Sequence, residues 1–326
     1  MAAAEVGDDV LGEDPTVNRL QQLAAEKMGK EAGLFMPSGT MGNLAAILAH
    51  CQRGDEAIMG NLGHTFIYEA GGAAALGGVH PNPLQNQPDG RLLLEDIEGA
   101  IRVPDSHFPI SRLIILENTH NRCGGVPLSV EYTRQVAKIA RSKDMQLHLD
   151  GARVFNAAAA LNESARDLAE PADSVTFCLS KGLCAPVGSV LCGSFEFIQR
   201  AHRMRKQLGG GMRQAGILAA AGIVALEQMV DRLVEDHRRA KILAEGLAKI
   251  PGLKLESEKP STNMIFLTLE AQEPKSNLAV DIANRLFKEH SIRVGVVSAH
   301  RFRMVTHYWI DDKAIDRTIL AFGKVL

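Results

Sequence analysis

No run of about 18 apolar residues occurs in the chain, so the sequence offers no transmembrane helix. Charge of one sign is equally scarce. Lys and Arg number 36 and Asp and Glu 38, a net charge of -2, which removes the electrostatic argument for nucleic acid or an anionic membrane as partner. Cysteines are few: five occur, at 51, 123, 178, 184 and 192, with no Cys-x-x-Cys pair. An odd number in a chain of this length fits reduced thiols and a cytoplasmic setting. The first fifteen residues, MAAAEVGDDVLGEDP, are acidic and have neither a basic nor an apolar targeting region, so no secretory signal is expected. Internal repeats and low-complexity tracts are lacking too. What is left is an ordinary globular composition, 46% hydrophobic and 23% charged, with 326 residues to build one large or two ordinary domains.

The informative stretch is 146–181. Gln146 to Leu149 reads as a short buried strand that delivers Asp150 to its carboxyl end, where open α/β sheets place ligands. Gly151 and Ala152 turn the chain and Arg153 starts a helix. A second strand, Ser174 to Leu179, ends at Ser180-Lys181. An acid and a lysine thus share one sheet edge. Pyridoxal phosphate chemistry needs that pairing: a lysine for the Schiff base and an acid facing the pyridinium nitrogen. The blander alternative is a helix-capping acid and a solvated surface lysine.

Elsewhere the pattern is strand, loop and helix in alternation through residue 200, which predicts a mostly parallel sheet covered on both faces. Asp14-Pro15 opens a helix that Gly33 is expected to stop. Leu34 to Met36 leads into Pro37-Ser38-Gly39-Thr40 and a helix from Met41 to Cys51, so Gly39 and Thr40 sit at a helix start, where anions bind. Glu56 to Met59 is a strand ending at His64, with a helix expected from Thr65 to Ala75. Pro81 and Pro83 are expected to break structure, and Leu92 to Ile101 to be helical. A loop carrying His107 precedes the strand Arg112 to Leu116, which delivers residues 117–121 to the ligand edge. A long helical tract from about Ala215 to Ile250 is read as a bridge to a smaller α+β domain. The boundary falls near residue 230, giving a large domain at 1–230 and a small one at 231–326.

Eight segments, in chain order, add up to a family resemblance: GDDVLGEDPTVNRL, PSGTMGNL, GHTFIYEAGGAAALGGV, LENTHN, LHLDGAR, SKGLCAPVGS, RKQLGGGMRQAG and RMVTH. The chain resembles the low-specificity L-threonine aldolases, pyridoxal 5'-phosphate enzymes of fold type I with the aspartate aminotransferase-like fold. The resemblance implies a mostly parallel seven-stranded sheet in the large domain. It implies cleavage of threonine or allo-threonine to glycine and acetaldehyde, a place in threonine catabolism and glycine biosynthesis, and a homotetramer built as a dimer of dimers with shared active sites.

Roles follow position by position from the resemblance. Lys181 corresponds to the Schiff-base lysine and Asp150 to the pyridinium partner. Gly39 and Thr40 correspond to the phosphate cradle, with Arg213 reaching the phosphate across a subunit boundary. His64 corresponds to the ring-stacking histidine, and His64 and His107 to the pair that contacts the substrate hydroxyl. Arg153, also counted as a cofactor contact, and Arg303 correspond to the forks that hold the substrate carboxylate. Tyr68 and Lys206 correspond to further contacts, and His120 is expected behind the site. The short segment of the form Asp-Leu-Arg-Ser-Asp-Thr that precedes Gly-Asp-Asp-Val in the family has no counterpart here. Two alternatives stay open at this point: an impaired or non-catalytic homologue, and another pyridoxal phosphate reaction such as β-elimination. No metal site is expected.

Overall fold

The computed structural model describes residues 1–257, 259–270 and 278–326. It divides into two compact units, Met1–Asp231 and Arg232–Leu326. Among the described residues, no helix is long and apolar enough to cross a membrane.

The first unit is built on seven strands: β1 (Ala32–Met36), β2 (Asp55–Gly60), β3 (His80–Leu84), β4 (Ile110–Glu117), β5 (Gln146–Asp150), β6 (Ser174–Cys178) and β7 (Ser189–Gly193). Their order is β1-β7-β6-β5-β4-β2-β3. Strands β3, β2, β4, β5 and β6 pair in parallel, and β7 runs antiparallel to both β6 and β1. The mostly parallel sheet expected from the strand–helix alternation is therefore present. Every residue of β2, β6 and β7 is buried, as a sheet covered on both faces requires.

Several local readings need correction. Pro81 and Pro83 do not break structure but lie inside β3, at the sheet edge. The carbonyl of Leu84 accepts the Asn61 N–H at 2.8 Å, so alternate residues of β3 face β2. The two prolines fall on the outward side, where no ladder bond needs their missing N–H. The first helix, Pro15–Met28, is capped by Asp14 as expected, but Gly29 at φ 63° ends it rather than Gly33. Gly33 lies in β1, where a Cβ would meet the Gln21 carbonyl oxygen at 2.6 Å. The helix anticipated over 65–75 is two short turns, His64–Ile67 and Gly72–Ala75.

The tract 215–250 is likewise two helices, Gly216–Gln228 and Leu233–Leu247. The break at 229–232 marks the change between units, and the second helix buries Leu243, Ala244 and Leu247 in the core of the second unit. That unit carries the antiparallel sheet β10-β11-β9-β8, from β8 (Leu253–Leu255), β9 (Met264–Leu269), β10 (Gly295–Ser298) and β11 (Arg301–Val305). Helices Leu278–His290 and Asp312–Val325 complete it, with Phe302 edge-on to Phe322 at 5.9 Å. The sequence reading began the former helix at Ser276, which lies outside the described residues.

Buried charge ties the first residues to the large unit. Arg205 and Asp9, both almost wholly buried, pair at 2.9 Å, and Arg205 Nη1 donates to the Phe35 carbonyl of β1 at 2.9 Å. Asp14 caps its own helix and also accepts the N–H of Gly216 at 2.8 Å and of Gly7 at 3.2 Å. Removing one member of a buried pair strands the other charge away from water. Arg205→Leu is expected to cost about 3–5 kcal/mol, read as a lower urea midpoint, and a midpoint within error of wild type would contradict this account.

Candidate active site

A cavity of about 290 Å³ opens where β1, β4, β5 and β6 end and the loop beyond β2 begins. Because these strands point the same way, their last residues converge at one edge. Beyond β1, Ser38 caps the helix Gly39–His50: its Oγ accepts the Met41 N–H at 3.2 Å and its carbonyl accepts the Gly42 N–H at 3.1 Å. The N–H groups of Gly39 and Thr40 line the cavity and have no acceptor among the described residues. A helix start with two unengaged donors is a cradle for an anion. The cradle is tight, since a Cβ at Gly39 would lie 2.9 Å from Cys178 Sγ.

Beyond β2, His64 begins a helical turn. Its N–H donates to Glu117 Oε2 at 2.6 Å and its Nδ1 lies 2.9 Å from Glu69 Oε1. The bond to Glu69 raises the His64 pKa, against the opposing effect of burial. Glu117, the last residue of β4, also accepts the Asn121 N–H at 2.8 Å, so one carboxylate sets both sides of the cavity mouth. Asp150 ends β5 and is fully buried. Its Oδ1 accepts the Ala152 N–H at 3.1 Å and its Oδ2 accepts from Asn43 Nδ2 at 2.9 Å. Burial, with the Glu117 charge adding, pushes its pKa up to about 6, while Lys181 pulls the other way. Lys181, just beyond β6, lines the same cavity. Arg153 does too, half-buried, and among the described residues its guanidinium has neither a hydrogen bond nor an ion pair. Burial lowers its pKa, opposed chiefly by Glu117.

Six of the residues singled out in the sequence therefore line one cavity: Gly39, Thr40, His64, Asp150, Arg153 and Lys181. Tyr68 sits beside it, its ring 5.5 Å from that of His64 and its hydroxyl accepting from Arg122 at 3.0 Å. His107 lies outside the cavity of its own chain. It lies in the loop before Ile110, the first residue of β4, whereas Glu117 at the other end of that strand lines the cavity. Eight strand residues, roughly 25 Å, separate the two ends. The His107 ring is 84% exposed and bonds to Asp105 at 2.6 Å, so within one chain it forms no pair with His64. Arg213 is outside the cavity, exposed and paired with Asp8 at 2.6 Å, and Lys206 is also outside it. Arg303 belongs to β11 of the second unit, its Nη2 3.5 Å from Met264 Sδ. His120 is buried behind Glu117, lining a separate space of about 10 Å³.

Sequence reasoning missed Asn43 and Glu69, and put Glu117 and Asn121 at the ligand edge without giving either a role. Asn43 had a signal: it is a lone amide in a helix of small and apolar residues, one turn beyond the anion cradle. Glu69 had none: its bond to His64 spans an irregular turn, and its bond to Asn43 forms only once the helix Gly39–His50 packs against that turn. The donor set fits a flat cofactor with an anion at one end, a cationic ring nitrogen at the other, and a lysine beside it.

Comparison with known proteins points to one family. The family model for the beta-eliminating lyases matches residues 1–271. A low-specificity L-threonine aldolase of Arabidopsis thaliana is 47% identical across all of this chain and 91% of its own. The low specificity L-threonine aldolase of Escherichia coli K12 is 49% identical over 82% of this chain and 78% of its own. Among solved structures, a Leishmania major threonine aldolase superposes with a TM-score of 0.80 at 22% identity, over 97% of this chain and 91% of the other. A Sphingomonas wittichii serine palmitoyltransferase gives 0.77 at 18%, over 99% and 79%. At such identities the structures speak for the fold alone.

The raised pKa of Asp150 has a signed consequence for the cofactor-free chain. The folded state holds a proton up to about pH 6 that the unfolded chain releases near 3.8. The stability this contributes is present below that lower value and is lost as pH rises through about 6. Asp150→Asn lacks the term, so its melting temperature should gain on wild type as pH is raised from 4 to 7. A difference that stays flat across the window would refute the burial of an ionisable carboxyl there.

Proposed function

The chain belongs to the beta-eliminating lyase family, among the threonine aldolases, and from that premise we propose that it cleaves L-threonine and L-allo-threonine to glycine and acetaldehyde. The observation that carries the reading is one cavity lined by an amine, a buried acid, a histidine and an unpaired guanidinium. Pyridoxal 5'-phosphate is the cofactor, and when bound it supplies an electron sink for the pair released as the Cα–Cβ bond breaks.

The residues divide the remaining work. Gly39 and Thr40 hold the phosphate with their two N–H groups. Asp150 would face the ring nitrogen as an acceptor, ionised when a cation sits against it. Lys181 would hold the cofactor through Nζ. Arg153 grips the substrate carboxylate, which sets the orientation of the bond to be broken. Arg303 is assigned to the same carboxylate on the resemblance alone. Glu69 accepts the Nδ1–H of His64 and so leaves Nε2 as the basic nitrogen. That nitrogen takes the β-hydroxyl proton, directly or through one water. Two hydrogen bonds fix His64 for this, one at the ring and one at the backbone.

The assembly we infer is a homotetramer, a dimer of dimers in which His107, Arg213, Lys206 and Tyr68 serve a neighbouring copy's site. Support comes from the exposure of His107 and Arg213 outside their own cavity, and from exposed Phe66, Ile67 and Tyr68 just beyond His64. The five cysteines, none of them in a disulfide among the described residues, support a reducing, cytoplasmic setting.

Purified protein is expected to release acetaldehyde and glycine in equal amounts from threonine. Pyruvate from serine without aldehyde from threonine would point to elimination instead. Lys181→Ala should leave no cofactor attached to the chain after borohydride reduction, and attachment at wild-type level would remove Lys181 from its role. Arg153→Met loses a hydrogen bond to a charged group and should raise KM about ten- to a hundredfold; an unchanged KM would reassign the carboxylate site.

A further inference from the structure

The mechanism leaves without a task Asn43, which lines the cavity beside Asp150, and a row of polar groups behind it. Asn43 is 2% exposed, and its Nδ2 lies 2.9 Å from Asp150 Oδ2 and 2.9 Å from Glu69 Oε1. Its Oδ1 lies 3.2 Å from His148 Nε2. His148 Nδ1 lies 2.8 Å from Ser174 Oγ, and the same hydroxyl lies 2.7 Å from His50 Nε2.

The direction of every bond in this row can be deduced. The end of the Asn43 amide that faces two carboxylates must be the NH₂ end, because a carbonyl there would oppose two acceptors. Both amide hydrogens are thereby committed, one to each acid. The carbonyl end must then accept, so His148 carries its proton on Nε2. Burial holds His148 neutral, pushing its pKa down to about 3, so it has no second proton and its Nδ1 is an acceptor. Ser174 donates to that nitrogen and has a lone pair left for His50, which therefore donates from Nε2. His50, also pushed to about 3 by burial and stacked on Phe197 at 4.4 Å, is neutral as well. From His50 to Asp150 each link donates toward the acids. The amide in the middle cannot pass a proton along, so the row is a fixed polarity and not a relay.

We propose that Asn43, locked in one amide orientation by the His148–Ser174–His50 row, is a positioning residue that clamps Asp150 and Glu69 together as acceptors. Through them it governs the two groups that face the cofactor and substrate: Asp150 toward the ring nitrogen and Glu69 toward His64. This rests on the reading that Asp150 meets the ring nitrogen. An apolar residue at 43 would take one donor from each of the two buried acids, leaving Asp150 only Ala152 N–H and Glu69 only the His64 ring, and a proton on Asp150 would then compete with its role as acceptor for the ring.

The test loads the enzyme with pyridoxal phosphate labelled with ¹⁵N in the ring and reads the nitrogen resonance, together with the cofactor dissociation constant. Asp150→Asn should move the resonance toward the unprotonated position. Asn43→Leu should move it the same way and raise the dissociation constant about tenfold. His148→Leu should follow Asn43→Leu, whereas His148→Gln, which keeps a donor toward Asn43, should stay within about twofold of wild type. If Asp150→Asn shifts the signal while Asn43→Leu and His148→Leu, both folded, leave signal and affinity unchanged, Asn43 has no such role. If Asp150→Asn itself leaves the resonance at the wild-type position, the ring-nitrogen assignment falls first and this proposal with it.

Discussion

A carboxyl group shut away from water at the end of β5 is the constraint on which the rest of the site depends. Burial alone favours its neutral form, and the neighbouring Glu117 and Glu69 push in the same direction. Such a group is costly unless something cationic sits against it or donors surround it. The chain provides donors from two sides, Ala152 N–H and the Asn43 amide, and a nearby lysine. On the proposed reading a protonated ring nitrogen would complete the set, so cofactor binding would answer an electrostatic need that folding creates.

Strand direction explains how so few residues suffice. Each parallel strand brings one functional group to the same edge: Asp150 from β5, Glu117 from β4, Lys181 just past β6, His64 just past β2. β1 adds the helix start at Gly39. The same rule explains why His107 is absent from the cavity. It precedes β4, and the amino end of a parallel strand is the far side of the sheet. Resemblance marks which residues belong to a chemistry, but only the direction of the strand settles which end of the sheet each occupies.

The legible parts of the sequence were those fixed by short-range physics. Asp14-Pro15 opened a helix because a capping acid and a pre-set φ act locally. The acid–lysine pair was legible because each closes a short buried strand. Misreadings came where packing overrode local preference. Gly29 had the left-handed turn that Gly33 was expected to make, and the tract beyond Ala215 broke where one core gave way to another. The Glu69–Asn43–His148 contacts join residues far apart in sequence, and no local pattern encodes them.

The prolines of β3 bear on solubility as well as on pairing. An edge strand ordinarily offers a ladder of donors to any extended peptide that drifts alongside. At positions 81 and 83 the outer rim of this sheet has none to offer. A second molecule trying to add itself there as an eighth strand would find its carbonyls unanswered, so the rim resists sheet-to-sheet aggregation without needing a covering loop.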